Sequence, residues 1–181
     1  MPEPARWDGV RLQGEGFVLR RWRDADLDAL LRHADDAAVA AHVSDRFPHP
    51  YRREDGERFL AGGVVDLDLP VLAIEVDGEA CGSVGIRPGA GERAHGAELG
   101  YWLGRAHWGR GLMTRVVALY LPWTLRALAL HRVQAAVLAG NPASARVLLK
   151  NGFAEEGRLR DAVRKYGRYH DLRVFGRIGG A

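Results

Sequence analysis

The stretch ELGYWLGRAHWGRGLMTRVV, residues 98–117, decides the fold because it reads as a strand, a glycine-bearing turn and the start of a helix. Gly109 and Gly111 remove side chains from that turn, which leaves several backbone N–H groups free where the helix begins. Such a helix start attracts phosphate through these donors and the helix dipole. Thr114 stands where a dinucleotide fingerprint needs a third glycine, and the Gly-Lys-Ser/Thr of a P-loop does not occur. A simple tight turn would use the same two glycines.

Signals on the N-terminal side of this stretch predict strands, helices and one tight hairpin. Asp24 is a favoured N-cap for the first helix, and Asp77-Gly78 is a strong hairpin signal. Gly100, inside a predicted strand, suggests a bulge or a close approach by another backbone. The predicted elements are a flexible polar tail at 1–14, a strand at 16–22, helices at 24–33, 36–43 and 54–61, and strands at 71–76, 80–87 and 97–103.

On the C-terminal side, Pro122 lies inside the predicted helix 111–128, so a kink or a split into two helices is expected. Asn141-Pro142 predicts a helix start, and Asn151-Gly152 predicts its end. Strands are predicted at 131–139, 153–163 and 169–178. Strands and helices alternate irregularly, which predicts a mixed α/β (α+β) fold in a single domain spanning 15–178.

Composition narrows the class of protein. With 181 residues, 47% of them apolar, the chain is long enough for one domain with a sizeable core. The opening MPEPARWDG lacks the apolar run of a signal peptide, and no stretch is long enough to span a bilayer, so a cytoplasmic protein with no membrane partner is expected. Cys81 lies in an apolar run and favours a buried structural thiol. The spacing of Cys and His residues predicts no metal site.

Charge is distributed unevenly along the chain. Residues 1–100 hold 12 Lys/Arg against 19 Asp/Glu, a balance of −7, whereas residues 101–181 hold 14 against 4, a balance of +10. An uneven solvated surface would explain this, as would a basic half facing an anionic ligand and an acidic half facing a cationic one. The basic residues do not form a Lys/Arg run interleaved with aromatics, so no nucleic-acid partner is expected.

Two motifs at a fixed separation identify a family. The first is the turn Trp108 to Met113, and the second is the run NPASARVLLKNGF from Asn141 to Phe153. Together they resemble the GNAT superfamily of acetyl-CoA-dependent N-acetyltransferases, in the branch that acetylates the N-termini of ribosomal proteins. The resemblance covers residues 15–178 and implies a central, mostly antiparallel sheet flanked by helices, with strands splayed around the CoA site. Trp108 and Met113 depart from the usual residues of the first motif.

The resemblance also implies the contacts of the cofactor acetyl-CoA. The pyrophosphate would lie over the backbone of Gly109 to Thr114, and the pantetheine arm would pair with the 101–103 strand. Met113 would need its side chain turned away from the phosphates. Asn141 would hold the pantetheine or acetyl end, and Arg110, Arg146 and Lys150 are candidates for the 3′-phosphate or adenine side. The predicted cofactor-binding residues are Tyr101, Trp102, Leu103, Trp108, Gly109, Arg110, Gly111, Leu112, Met113, Thr114, Asn141, Ser144, Arg146 and Lys150.

Direct acetyl transfer requires a base for the amine, a donor for the thioester oxygen and an acid for the leaving thiolate. Glu98 is the candidate base, or alternatively a structural or substrate-orienting carboxylate. Ser144 is the candidate acid, since it lies on the same helical face as Asn141; it could equally make only a structural hydrogen bond. The Leu103 N–H is the candidate oxyanion donor. The seven histidines are scattered along the sequence with no visible pairing, and His170 could face the acceptor.

The expected activity is transfer of acetyl from acetyl-CoA to a primary amine. A non-catalytic acyl-CoA-binding regulatory module on the same fold is the alternative, and the unusual Met113 is its only support in the sequence. The acidic segments 35–45 and 53–68 favour a cationic acceptor, either a protein N-terminus or a small amine. A homodimer formed through the final strands is a further possibility.

Overall fold

The structure is a computed structural model that describes residues 7–179. Within this range the backbone forms strands, α-helices and short 3₁₀ turns. The strands are β1 (Arg11–Gly14), β2 (Phe17–Arg21), β3 (Leu72–Val76), β4 (Glu79–Pro88), β5 (Gly96–Leu103), β6 (Arg132–Leu138), β7 (Ala154–Lys165) and β8 (Arg168–Ile178). The helices are α1 (Leu27–Ala34), α2 (Ala37–Ala40), α3 (Arg53–Leu60), α4 (Leu112–Ala127) and α5 (Pro142–Lys150).

The described residues group into two compact units. The first comprises residues 7–86 and 101–120, and the second comprises residues 87–100 and 121–179. Three elements, β4, β5 and α4, therefore begin in one unit and end in the other.

In the first unit, β1, β2, β3 and β4 pair in chain order, and each pair is antiparallel. The β3–β4 hairpin turns at Asp77 and Gly78, whose φ angles are +50° and +84°. Two successive left-handed residues are what the tightest hairpin turn needs, and Asp-Gly supplies them at low steric cost. The hairpin predicted at this dipeptide is confirmed.

The core of the first unit lies between this sheet and helices α1 and α3. Trp22, Leu30 and Phe59 are buried there, and the Trp22 and Phe59 rings meet edge to face at 5.2 Å. A buried guanidinium, that of Arg20, sits beside this core and is paired with the carboxylates of Asp26 and Glu75. Because a buried charge is tolerated only when it is paired, both acids stabilise the position of Arg20.

In the second unit, β5 pairs with β6 in parallel, and β8 pairs antiparallel with both β6 and β7. Val133, Leu148 and Phe175 are buried in this unit. Helix α5 starts and ends where the sequence predicts, with Asn141 as N-cap and Gly152 at φ +77° just beyond its end. Strand pairing among the described residues is mostly antiparallel, and helices accompany the strands in both units. The predicted mixed α/β class with a mostly antiparallel sheet is confirmed.

Several boundary predictions need correction. Residues 11–14 of the predicted tail form β1, and Trp7 is buried with its indole donating to the Asp68 carbonyl at 2.8 Å; residues 1–6 of that tail lie outside the described residues. Asp24 does not cap α1. Residues 24–26 form a 3₁₀ turn, because the Asp26 carboxylate accepts from the Arg23 N–H while binding Arg20.

Two glycine and proline predictions are also revised. No described atom outside its own neighbours lies within 4 Å of a Cβ built on Gly100, so crowding at the Cβ position does not require glycine there. Helix α4 runs unbroken through Pro122, which excludes the split into two helices.

The helix predicted at 36–43 is shorter in the structure, where it spans Ala37–Ala40 and is capped by Asp36. Within the described residues no helix has the length and apolar character needed to cross a membrane.

Candidate active site

The junction between β5 and α4 has the backbone that the sequence predicts for an anion site. Gly109 and Gly111 adopt φ angles of +75° and +68°, a region that side-chain-bearing residues rarely enter. The first helical hydrogen bond runs from the Arg115 N–H to the Gly111 carbonyl at 3.2 Å. Helical geometry therefore leaves the N–H groups of Leu112 and Met113 without an acceptor inside α4. Both residues are buried, so neither side chain projects into solvent at the helix start.

Trp108 fixes this junction to the end of β5. Its indole N–H donates to the Leu103 carbonyl at 2.8 Å, although the residue is 40% exposed. Leu103 itself is buried, and the following residue, Gly104, donates its N–H to the Cys81 carbonyl at 2.7 Å. Trp108 is thus more than a departure from the family motif, because it closes a turn of defined shape ahead of Gly109.

The strand leading into the junction also packs tightly in the first unit. A Cβ built on Gly82 would lie 2.5 Å from the Trp102 carbonyl oxygen, so β4 needs glycine there. The Trp102 ring meets the Phe47 ring at 5.1 Å, and both residues are half-buried. Tyr101 and Thr114 are half-buried and Arg110 is exposed. Residues 101–103 and 108–114 of the predicted cofactor set thus belong to one unit.

The other predicted residues belong to the second unit. The Asn141 side-chain oxygen accepts from the Ser144 N–H at 3.1 Å, which makes Asn141 the N-cap of α5. Ser144 is half-buried, and Arg146 and Lys150 are exposed on the same helix. Asn141 therefore has a structural role whether or not it binds a ligand, and the cap does not use its amide N–H₂.

Glu98 occupies the last residue of the β5–β6 ladder. Three parallel pairs end at Glu98 and Gln134, while β6 continues to Leu138. The Glu98 carboxylate is 40% exposed and accepts a hydrogen bond from the Arg87 guanidinium at 2.5 Å. Arg87, which the sequence did not single out, thus holds this carboxylate in place.

Sequence reasoning missed a cluster of titratable side chains in the first unit. His33 of α1 lies 2.6 Å from the Glu79 carboxylate, and its ring centroid is 5.4 Å from that of His107. Hydrogen bonds from Arg32 and then His33 lower the pKa of Glu79. Burial, followed by the nearby charges of His33 and Arg110, lowers the pKa of His107. The sequence showed no pairing among the histidines, and the structure brings His33 and His107 together.

The acidic segments predicted to recognise a cationic acceptor are largely engaged by the protein itself. Asp35 accepts from the Tyr51 N–H at 2.9 Å and lies 3.3 Å from His49. Asp36 caps α2, and Asp55 accepts from the Arg52 N–H and pairs with Arg58. Carboxylates with these partners shape the backbone, which weakens the argument that they bind a free cation. Among residues 7–179 no cluster of acidic, His or Cys side chains could hold a metal ion.

Comparison with known proteins identifies the family. The family model described as "Acetyltransferase (GNAT) domain" matches residues 17–154, a segment that runs through both units. The chain is similar to the uncharacterized N-acetyltransferase YoaA of Bacillus subtilis, at 35% identity over 178 residues, with 91% of this chain and 94% of YoaA covered. It is also similar to the ribosomal-protein-serine acetyltransferase of Escherichia coli, at 33% identity over 82 residues, 45% of this chain and 46% of the relative.

Solved structures agree on the fold. Mycobacterium smegmatis RimJ in complex with CoA-disulfide superposes with a TM-score of 0.79 at 24% identity, covering 94% of this chain and 86% of RimJ. The chain is therefore a GNAT-fold acetyltransferase, and it belongs to the GNAT acetyltransferase family. It is an acetyl-CoA-dependent N-acetyltransferase, and the resemblance found in the sequence is confirmed.

Proposed function

We propose that this protein transfers acetyl from acetyl-CoA to the α-amino group of a protein N-terminus by direct attack in a ternary complex. The observation that carries the proposal is the β5–α4 junction, where Gly109 and Gly111 hold left-handed backbone and α4 begins without a side-chain cap from Gly111. N–H groups presented in this way match the oxygens of a pyrophosphate and need no metal to do so.

The pyrophosphate is proposed to bind the backbone of Gly109 to Thr114, with Arg110 exposed beside it. Residues 101–140 contain no acidic side chain, which suits a ligand with several negative charges. Tyr101, Trp102 and Leu103 are proposed contacts of the pantetheine arm. On the second unit, Asn141 through its amide and Arg146 and Lys150 through their charges are proposed to contact pantetheine and the 3′-phosphate respectively.

In the proposed reaction the neutral amine nitrogen attacks the thioester carbonyl, the C–N bond forms, and the C–S bond breaks to release the CoA thiol. Glu98 accepts the proton that the amine loses, and Arg87 orients its carboxylate. The Leu103 N–H stabilises the developing oxyanion, and the Ser144 hydroxyl protonates the departing thiolate. Glu98 then releases its proton to water, and Ser144 takes one from water, which restores both groups. Each step uses a group that this chain supplies.

A protein N-terminus is favoured as acceptor for two reasons. The Escherichia coli relative is named a ribosomal-protein-serine acetyltransferase. In addition, Asp35, Asp36 and Asp55 already have partners within the protein, so they give little support to recognition of a polyamine. A peptide α-amine needs less negative charge in its site than a polycation does.

The test is a thiol-release assay with acetyl-CoA over three acceptor panels: peptides with free N-termini, polyamines and aminoglycosides. Turnover is expected with peptides, and turnover with polyamines alone would contradict the assigned acceptor. CoA binding by calorimetry with no thiol release from any amine would favour a regulatory module instead.

The role of Glu98 is tested by Glu98→Gln beside the exposed control Glu92→Gln. We expect Glu98→Gln to lower kcat by about 100-fold, the usual contribution of a positioned base, with the KM for acetyl-CoA unchanged. Glu92 lies in the 3₁₀ turn 91–93, and its replacement is expected to leave kcat as it is. Equal kcat values for the two variants would assign proton removal to water or to another residue.

A further inference from the structure

The turn that leads into the phosphate-binding backbone is held at both of its ends. At one end the Gly104 N–H donates to the Cys81 carbonyl at 2.7 Å. At the other end the Trp108 indole donates to the Leu103 carbonyl, and the Trp108 N–H donates to the Arg105 carbonyl at 3.1 Å. We call residues 104–108 the approach turn. Its position sets where Gly109 and the α4 N–H groups begin.

One side chain from a distant helix fills the space against this approach turn. A Cβ built on Gly104 would lie 2.5 Å from Nδ1 of His33 and 2.9 Å from its Cγ. The same imidazole lies 5.4 Å, between ring centroids, from His107 at the other side of the turn. His33 therefore touches the approach turn near both ends, and Gly104 is glycine because the imidazole occupies the place of a Cβ.

His33 is itself held by a carboxylate. Its Nε2 lies 2.6 Å from Glu79 Oε1, while Glu79 Oε2 accepts from Arg32 at 2.5 Å. The histidine side chain is only 11% exposed, so the ring has little freedom to turn away. A carboxylate that binds one imidazole nitrogen fixes the orientation of the ring, and this leaves the opposite face and edge to pack against Gly104 and His107.

We propose that His33, oriented by Glu79, is a positioning residue for acetyl-CoA binding: it sets the place of the approach turn and so aligns the N–H groups that begin α4. The inference rests on the proposed binding of pyrophosphate to that junction. In the proposed role His33 does not contact the cofactor. It acts through Gly104 and His107, because a functional backbone must be held within a fraction of an ångström by the shell behind it.

The charged groups around the cluster come from each element packed against it. Arg32 lies on α1, Asp77 and Glu79 lie at the β3–β4 hairpin, and His107 and Arg110 lie on the approach turn and the residues after it. Burial, followed by the neighbouring groups His33 and Arg110, lowers the pKa of His107, which favours a neutral ring beside His33.

The experiment measures CoA affinity by calorimetry for His33→Ala, Gly104→Ala and the double variant, with Arg32→Gln as the matched control. Arg32 binds the same carboxylate but is 60% exposed. We expect His33→Ala to weaken CoA binding about tenfold, since sub-ångström displacement of a binding backbone has effects of this order. Gly104→Ala should weaken binding similarly, because Cys81 prevents the turn from moving aside. Arg32→Gln should leave the affinity unchanged.

The double variant supplies the readout that a merely structural role would not move. Removing the imidazole makes room for the methyl group that Gly104→Ala introduces, so the double variant should bind CoA no more weakly than Gly104→Ala alone. At saturating acetyl-CoA the kcat of His33→Ala should match that of the wild type, which separates positioning of the cofactor site from general loss of fold. Thermal unfolding of each variant checks that it is folded.

Three results would overturn the inference. The first is unchanged CoA affinity in His33→Ala, the second is strictly additive losses in the double variant, and the third concerns the control. Absence of CoA binding by the wild type would instead contradict the proposed function, so the two failures are distinguishable. Equal weakening by Arg32→Gln would also count against the inference, because it would assign the effect to the net charge around Glu79.

Discussion

Helices α4 and α5 each follow a strand and a turn that contains glycine, yet their first N–H groups are capped differently. Before α5, the Asn141 side chain accepts from the Ser144 N–H, and Pro142 has no N–H to satisfy. Before α4, Gly111 offers no side-chain acceptor, and Leu112 and Met113 follow with buried side chains. The α5 start thus has a side-chain cap from its own sequence, and Gly111 supplies none at the α4 start.

The difference teaches that the shape of a strand–turn–helix junction is not enough to make it an anion site. An N-cap side chain satisfies one of the donors that a phosphate would need, whereas glycine at the cap supplies no side-chain acceptor. Charge follows the same division, since the segment 101–140 around the α4 start contains no acidic residue. Glycine at the cap and the lack of acidic residues therefore favour an anion at the start of α4 over the start of α5.

The largest expected effect comes from changing the backbone conformation at the start of α4. Gly111→Val puts a β-branched residue at a φ of +68°, where it is strained, so the backbone must move away from this conformation. We expect acetyl-CoA affinity to fall by about 100-fold, as displaced binding groups commonly produce. Calorimetry with CoA measures the loss directly.

The matched control is Gly140→Val at the junction before α5. Gly140 is not in the left-handed region, and a Cβ there would meet no described atom within 4 Å beyond its own neighbours. Its replacement is expected to leave both stability and CoA affinity close to the wild type. If the two variants lose affinity equally, the contrast between the helix starts does not determine cofactor binding.

A smaller effect is expected when the cap of α5 is removed. Asn141→Ala should lower the free energy of unfolding by about 1 kcal/mol, the usual loss when a capping side chain is deleted. Asn141→Asp keeps a capping oxygen and should restore that stability. The carboxylate has no N–H to donate, however, so CoA affinity should stay low if the amide also binds pantetheine.

Urea unfolding and CoA titration on the same two variants separate the cap from the ligand contact. Recovery of both stability and affinity in Asn141→Asp would make Asn141 a cap alone. The proposed pantetheine contact at this residue would then be wrong.

How much the sequence could predict follows from how far apart the interacting residues lie. The Asp77-Gly78 hairpin and the α5 cap were predictable because each signal and its partner lie within a few residues. Strand β1 was missed because a short, partly polar strand such as RLQG carries little periodicity of its own and is defined by pairing with β2. Local sequence patterns predict local structure. They do not show which distant residues will pair once the chain has folded.

The candidate site shows the same limit. Gly109 and Gly111 were found because positive φ leaves a trace in residue type. His33 and Glu79 are separated by 46 residues, and His107 lies farther still along the chain, so nothing local could pair them. The only trace was Gly104, which follows the strand without an evident need for glycine. Asp35 accepts from the Tyr51 N–H, 16 residues along the chain, which no local pattern predicts. Asp36 caps α2 through the N–H groups of Ala38 and Val39, which are its neighbours in sequence.

The smallest expected effect uses pH to distinguish the two helix starts. His107 lies just before the α4 junction, whereas residues 139–144 at the α5 start include no titratable side chain. Because burial lowers the pKa of His107 below its ordinary value of 6.5, the unfolded chain binds its proton more readily than the folded chain does. His107 therefore makes the protein less stable as pH falls from about 6.5 toward the lowered pKa of the folded state.

Replacing His107 by Gln removes this proton-linked contribution. The free energy of unfolding should then decline less steeply between pH 7 and pH 5 than in the wild type, even if the variant is less stable at pH 7 through loss of the ring contact with His33. Thermal unfolding across that pH range measures the slope, which a general loss of packing would not change. A variant with the wild-type slope would show that protonation of His107 is not linked to folding. The two helix starts would then differ only in their capping residues, Gly111 before α4 and Asn141 before α5.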